Sequence, residues 1–138
     1  MQIVSNSVEE TERIAADFAA TLPLGTIIAF TGDLGAGKTA FVRGLAKGLG
    51  VRDRVTSPTF TIVNEYEGEK GSLFHFDLYR LQDADELFDI GWEDYLCRHG
   101  ICAVEWSERA EGFMENCINV DIRRGENDEQ RVIEIKGI

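Results

Sequence analysis

An apolar run that halts at a glycine-rich turn and resumes as a helix constrains this chain more than any other feature. Thr26 to Thr31 is short and nearly continuous in apolar residues, as suits a strand buried on both faces of a parallel sheet. Gly32-Asp-Leu-Gly-Ala-Gly-Lys-Thr39 follows, and Lys38 to Leu49 places Phe41, Val42, Leu45 and Leu49 on one side of a helix. Gly44 and Gly48 weaken that helix, and Gly50 ends it. Strand, turn and helix in this order commit the chain to an α/β layered fold.

The turn spells G-x4-G-K-T in full, which is far more specific than a lone glycine-rich loop. Backbone N–H groups of Gly32, Asp33, Leu34, Gly35, Ala36 and Gly37 can curl around an anion, and Lys38 can reach the β and γ phosphates. The Thr39 hydroxyl suits Mg²⁺, and the nucleotide-binding set extends through Ala40 at the helix start. No Asn-Lys-x-Asp segment occurs, so the usual sequence warrant for guanine is missing and ATP is favoured. The octet alone leaves the phosphoryl acceptor open, so a small-molecule kinase and a nucleotide-regulated binding module both stand beside an ATPase.

The other elements read from local signals. Ser7-Val-Glu-Glu10 is a capping box opening a helix with Val8, Thr11, Ile14, Ala15, Phe18 and Leu22 on its apolar side; Pro23 and Gly25 stop it. Residues 51–58 read as a surface loop. Thr59 to Tyr66 and Ser72 to Asp77 read as two strands of a hairpin turning at 67–71. A helix covers part of 83–88, another spans Trp92 to Leu96, and Ile101 to Val104 is a second buried strand. Ile118 to Arg123 and Arg131 to Lys136 alternate apolar and polar residues, as a solvated antiparallel hairpin would. The expected fold is a P-loop NTPase-like three-layer α/β sandwich, with a mainly parallel sheet and antiparallel additions.

A chain of 138 residues is expected to form one domain over 1–138. With 14 Lys and Arg against 25 Asp and Glu, its formal charge of −11 disfavours direct attachment to nucleic acid or anionic membranes. Cys97, Cys102 and Cys117 form an odd set without CxxC spacing, which fits a reducing compartment. His75 and His99 are the only histidines, so zinc is a poor expectation. No apolar stretch is long enough to cross a bilayer, and the expectation is a soluble cytoplasmic protein.

Metal chemistry needs acids near the loop. Asp77 ends one apolar strand and Glu105 ends another, where α/β sheets present ligand groups. One of them can hold Mg²⁺, directly or through water, while the other completes its shell or positions the attacking water; the plain alternative is that a chain with 25 Asp and Glu ends some strands in acids by composition alone. Thr59 lies in Thr56-Ser-Pro-Thr-Phe60, read either as a nucleotide-sensitive loop or as a simple strand-entry turn. Trp106 follows Glu105 and suits a nucleotide cover, a protein interface or plain packing. His75, between Phe74 and Phe76, reads as a packed, hydrogen-bonded histidine.

Taken together, the phosphate loop, Ser57-Pro-Thr-Phe60, His75-Phe-Asp-Leu-Tyr-Arg-Leu81, Glu86 through Leu96 and Val104-Glu-Trp-Ser-Glu-Arg109 resemble the TsaE family, formerly called YjeE. The resemblance implies a small P-loop ATPase required with the TsaB–TsaD complex for threonylcarbamoylation of adenosine 37 in tRNAs that read codons beginning with adenine. It implies Lys38 on phosphates, Thr39 and Asp77 at Mg²⁺, Glu105 at the metal or catalytic water, Thr59 in a switch-like loop, and Trp106 beside the nucleotide or a partner. Hydrolysis would remodel or reset TsaB–TsaD, with tRNA held mainly by those partners. Ser107 and Ala110 stand where the family often has Pro and Gly.

Overall fold

The apolar run read from the sequence is strand β2 (Ile27–Gly32), the middle strand of a seven-stranded sheet. The computed structural model describes residues 1–32, 37–56, 58, 62–83, 85–107 and 116–137. Along the chain run β1 (Gln2–Ser5), α1 (Val8–Thr21), β2, α2 (Lys38–Leu49), β3 (Val63–Glu67) and β4 (Ser72–Asp77). They are followed by α3 (Glu86–Asp89), α4 (Trp92–Cys97), β5 (Gly100–Glu105), β6 (Ile118–Arg124) and β7 (Arg131–Lys136).

The sheet order is β1-β7-β6-β2-β5-β4-β3. β6, β2, β5 and β4 run parallel, while β3 pairs antiparallel with β4 at one edge and β7 and β1 add antiparallel strands at the other. This is a mixed α/β architecture with four helices among the described residues.

Local signals predict the helix limits well. The Ser7 hydroxyl accepts the Glu10 N–H at 3.0 Å, the N-cap bond the capping box implies. α2 spans Lys38–Leu49 as read, and Gly50 caps its end. Gly44 and Gly48 have a role beyond weakening the helix. A Cβ on Gly44 would lie 2.3 Å from the Glu12 carbonyl oxygen, and one on Gly48 2.6 Å from that of Ala16. These glycines let α2 lie directly against α1.

Both helices cover one face of the sheet. There Phe41 packs edge-on against Phe30 at 5.6 Å, above Ile28, Leu73, Ile101, Ala103, Val120 and Ile133. Burying a side chain such as Phe41 contributes about 1.5–3 kcal/mol. The other face of β2, β5 and β4 is covered by α3 and α4, where Trp92 meets Phe76 at 5.1 Å above Val104 and Cys102.

Two readings change. The terminal hairpin does form, but β6 also pairs in parallel with β2 and so lies inside the sheet. One face is therefore packed: Ile118, Val120 and Ile122 are buried. The alternation recorded one covered and one open face of a hairpin that is joined to the parallel strands through β6. β1 is an added edge strand that four residues without strong alternation did not announce; its register on β7 runs from Gln2↔Glu134 to Ser5↔Arg131. The strand expected at 59–66 begins at Val63 in the described part, and residues 59–61 lie outside the described residues.

Candidate functional site

Side chains alternate along a strand, so Leu73, His75 and Asp77 of β4 share one face, as do Ile101, Ala103 and Glu105 of β5. Leu73, Ile101 and Ala103 lie in the core beneath α1 and α2, which fixes that face as the one carrying α2. Asp77 and Glu105 are register partners at the ends of parallel neighbours. β5 adjoins β2, so Glu105, Asp77 and the exit of β2 lie side by side, with neighbouring strands about 4.8 Å apart.

β2 leaves the sheet at Gly32, which is paired with Ile122. Its φ is +112°, and a Cβ there would lie 2.1 Å from the Ile122 carbonyl oxygen, so only glycine fits. Gly37, at φ +100°, is the N-cap of α2 and offers no side chain to the first-turn amides. The first turn of α2 also lacks acidic residues. Lys38, Thr39 and Ala40 therefore begin a helix whose N-terminal field favours an anion. From β7, the Arg131 side chain approaches this point: its Nε would lie 3.7 Å from a Cβ on Gly37. Its Nη1 donates to the carbonyls of Asp128 and Gln130 at 2.7 and 2.9 Å.

The acids differ in surroundings. Asp77 Oδ1 accepts the Tyr79 N–H at 3.0 Å, an Asx turn that bends the chain away from β4. Glu105 is gripped from within the protein: Oε2 lies 2.6 Å from Nε2 of fully buried His75. The Leu78 N–H bonds the Glu105 carbonyl at 3.1 Å, tying the two strand ends together.

Trp106 has φ +59°, unusual for a residue with a Cβ and of the kind that costs about 1–3 kcal/mol. The turn sends the indole toward α2. Its ring centroid lies 5.9 Å from Lys38 Nζ and 4.9 Å from the Tyr79 ring, itself 56% exposed. The sequence singles out Trp106, and it leaves Tyr79 open between organising the loop after Asp77, contacting a partner and plain packing. It left His75 outside the site, although the alternation Leu73, His75, Asp77 already put the imidazole on the acid's face.

Of the residues named from sequence, Gly32, Gly37, Lys38, Thr39, Ala40, Asp77, Glu105 and Trp106 are described, and they gather at the C-terminal ends of β2, β5 and β4. Asp33, Leu34, Gly35, Ala36, Thr59 and Ala110 lie outside the described residues; Ser107 is buried. No group of three or more His, Cys, Asp or Glu among the described residues is arranged to hold a metal ion. Thr39, Asp77 and Glu105 are hard oxygen donors, and Mg²⁺ is commonly held by one or two carboxylates together with substrate phosphates, so this donor set fits Mg²⁺. None of the described helices is long and apolar enough to cross a membrane.

Comparison with known proteins bears on this arrangement. The family described as "Threonylcarbamoyl adenosine biosynthesis protein TsaE" matches residues 5–133. The tRNA threonylcarbamoyladenosine biosynthesis protein TsaE of Treponema pallidum (strain Nichols) is 40% identical over 124 residues, covering 89% of this chain and 91% of that protein. Its namesake in Bacillus subtilis (strain 168) is 41% identical over 125 residues, covering 90% of this chain and 78% of that protein. A crystal structure of Bacillus subtilis YdiB superposes with a TM-score of 0.77 at 34% identity, covering 96% of this chain and 82% of that one. A match across nearly the whole sheet, from the last residue of β1 into β7, means that the chain belongs to the TsaE family, whose relatives here are named for tRNA threonylcarbamoyladenosine biosynthesis.

Proposed function

We propose that this chain is a single-domain, P-loop NTPase-like ATPase, dependent on Mg²⁺, that serves formation of N6-threonylcarbamoyladenosine in tRNA by remodelling or resetting a TsaB–TsaD complex. The observation that carries the reading is the juxtaposition of a Gly-Lys-Thr helix start, with glycine as its N-cap, and two register-paired carboxylates on the same sheet face. First-turn amides and Lys38 hold the triphosphate and neutralise charge developing on the transferring phosphoryl. Thr39 and Asp77 would hold Mg²⁺, which would supply charge neutralisation at the phosphates. Glu105, braced from the interior, orients the attacking water. Trp106 and Tyr79 wall the site on the exposed side and offer an aromatic surface to the nucleotide or to the partner complex.

The acidic balance of the chain supports leaving tRNA contact mainly to the partners. The test combines the intact protein with purified TsaB, TsaD, tRNA, threonylcarbamoyl-adenylate and Mg-ATP, and follows phosphate release and tRNA modification. Lys38→Ala should lose both, and Glu105→Ala should bind ATP but not turn over. Equal activity in all three proteins would refute the site. Binding of the partner without turnover in the full mixture would instead identify a nucleotide-regulated binding module, and γ-phosphate appearing on an added small molecule a kinase.

A further inference from the structure

We propose that His75 is a positioning residue for Glu105: its imidazole is present to hold one carboxylate oxygen so that the other faces the nucleotide side of the strand ends. The proposal rests on the reading of Glu105 as the group that orients water.

His75 lies near the middle of β4, fully buried, on the face that carries Leu73 and opposite Phe74 and Phe76. Packing alone calls for an apolar side chain there, because a polar ring taken out of water is costly unless its nitrogens are bonded. Only half of that requirement is met. Nε2 lies 2.6 Å from Glu105 Oε2, while Nδ1 has no hydrogen-bond partner among the described residues. Facing a carboxylate, which accepts, Nε2 is the donor of this bond.

The two residues are 30 positions apart and meet only because β4 and β5 are parallel neighbours in a register that sets His75 opposite Ala103 and Asp77 opposite Glu105. Ala103 is the small residue beside His75, and the ring is free to lean toward the end of β5. A glutamate has three side-chain torsions and would otherwise sample several rotamers at a strand end. A donor buried in the packed core favours one of them. Misplacement of a reacting group by about 1 Å can cost about 100-fold in rate, and loss of a supporting hydrogen bond about 10- to 100-fold.

The test compares His75→Leu, His75→Gln and His75→Asn, each alone and combined with Glu105→Gln, in the reconstituted mixture with Mg-ATP. Gln carries its amide N–H about as far from the backbone as Nε2, whereas Asn stops near Nδ1. His75→Leu is expected to keep ATP affinity and thermal stability while kcat falls about 10- to 100-fold. Gln should recover most of kcat and Asn little. With Glu105→Gln already present, His75→Leu should cost nothing further. Unchanged kcat in His75→Leu, or equal kcat in the Gln and Asn variants, overturns the proposal, and the Gln and Asn pair decides it if the Leu variant does not fold. If Glu105→Gln itself turns over normally, the reading of Glu105 fails and the proposal with it. If Glu105→Gln is inactive and His75→Leu is not impaired, His75 alone was misread.

Discussion

Asp77 and Glu105 face each other across two parallel strands at the same register position, yet one is tied to a loop amide and the other to a buried imidazole. That difference separates their expected roles. Asp77→Asn should raise the Mg²⁺ concentration needed for half-maximal turnover by about tenfold or more, with kcat largely regained at high Mg²⁺. Glu105→Gln should lower kcat by about 100-fold or more at any Mg²⁺ concentration while ATP still binds. A Mg²⁺ titration of turnover for the two variants checks the division; identical profiles would remove it.

Trp106 contacts Lys38 and Tyr79, whereas Trp92, the first residue of α4, is buried against Phe76. ATP entering beside Lys38 should change the environment of one indole and leave the other untouched. Intrinsic tryptophan emission is expected to shift on adding Mg-ATP in the intact protein and in Trp92→Phe, and to stay constant in Trp106→Phe. A retained signal in Trp106→Phe would place the nucleotide elsewhere.

At Gly44 two effects of opposite sign compete. Alanine gains up to about 1 kcal/mol of helix propensity over glycine. Its Cβ, however, would sit 2.3 Å from the Glu12 carbonyl oxygen and 2.5 Å from Ala15 Cβ, obstacles set by the α1 backbone. Overpacking of this kind costs about 1–3 kcal/mol, so Gly44→Ala should be net destabilising. The urea midpoint measures it, and a rise would mean that α1 shifts at little cost.

Burial in β5 pushes the Cys102 thiol from 9.0 up to about 12. Near pH 8 its thiolate is scarce, so Cys102 should resist a thiol reagent until the protein unfolds, while exposed Cys97 reacts at once. Because the folded value is raised, the thiol's contribution to stability is complete below pH 9.0 and is lost as pH climbs toward about 12. Cysteine labelling followed by peptide mapping checks the first outcome, and urea midpoints between pH 8 and 11 the second. In Cys102→Ala the part of the alkaline loss due to this thiol should vanish.

Much of the molecule is legible one segment at a time. The capping box at Ser7, the limits of α2, the strand at Ser72–Asp77 and the strand that ends at Gly32 follow from propensity, periodicity and positive-φ glycines, all of which act over a few residues. The candidate acids were visible as well, because each ends a recognisable apolar run. By itself the sequence determined these local elements and the chemical types gathered near the turn. Only the tertiary structure decided that β6 pairs with β2 inside the sheet, that Gly44 and Gly48 form a helix seam, and that His75 braces Glu105. Each of those depends on which strand or helix lies beside which and in what register, a choice made by packing between segments far apart in the chain. No local pattern records it.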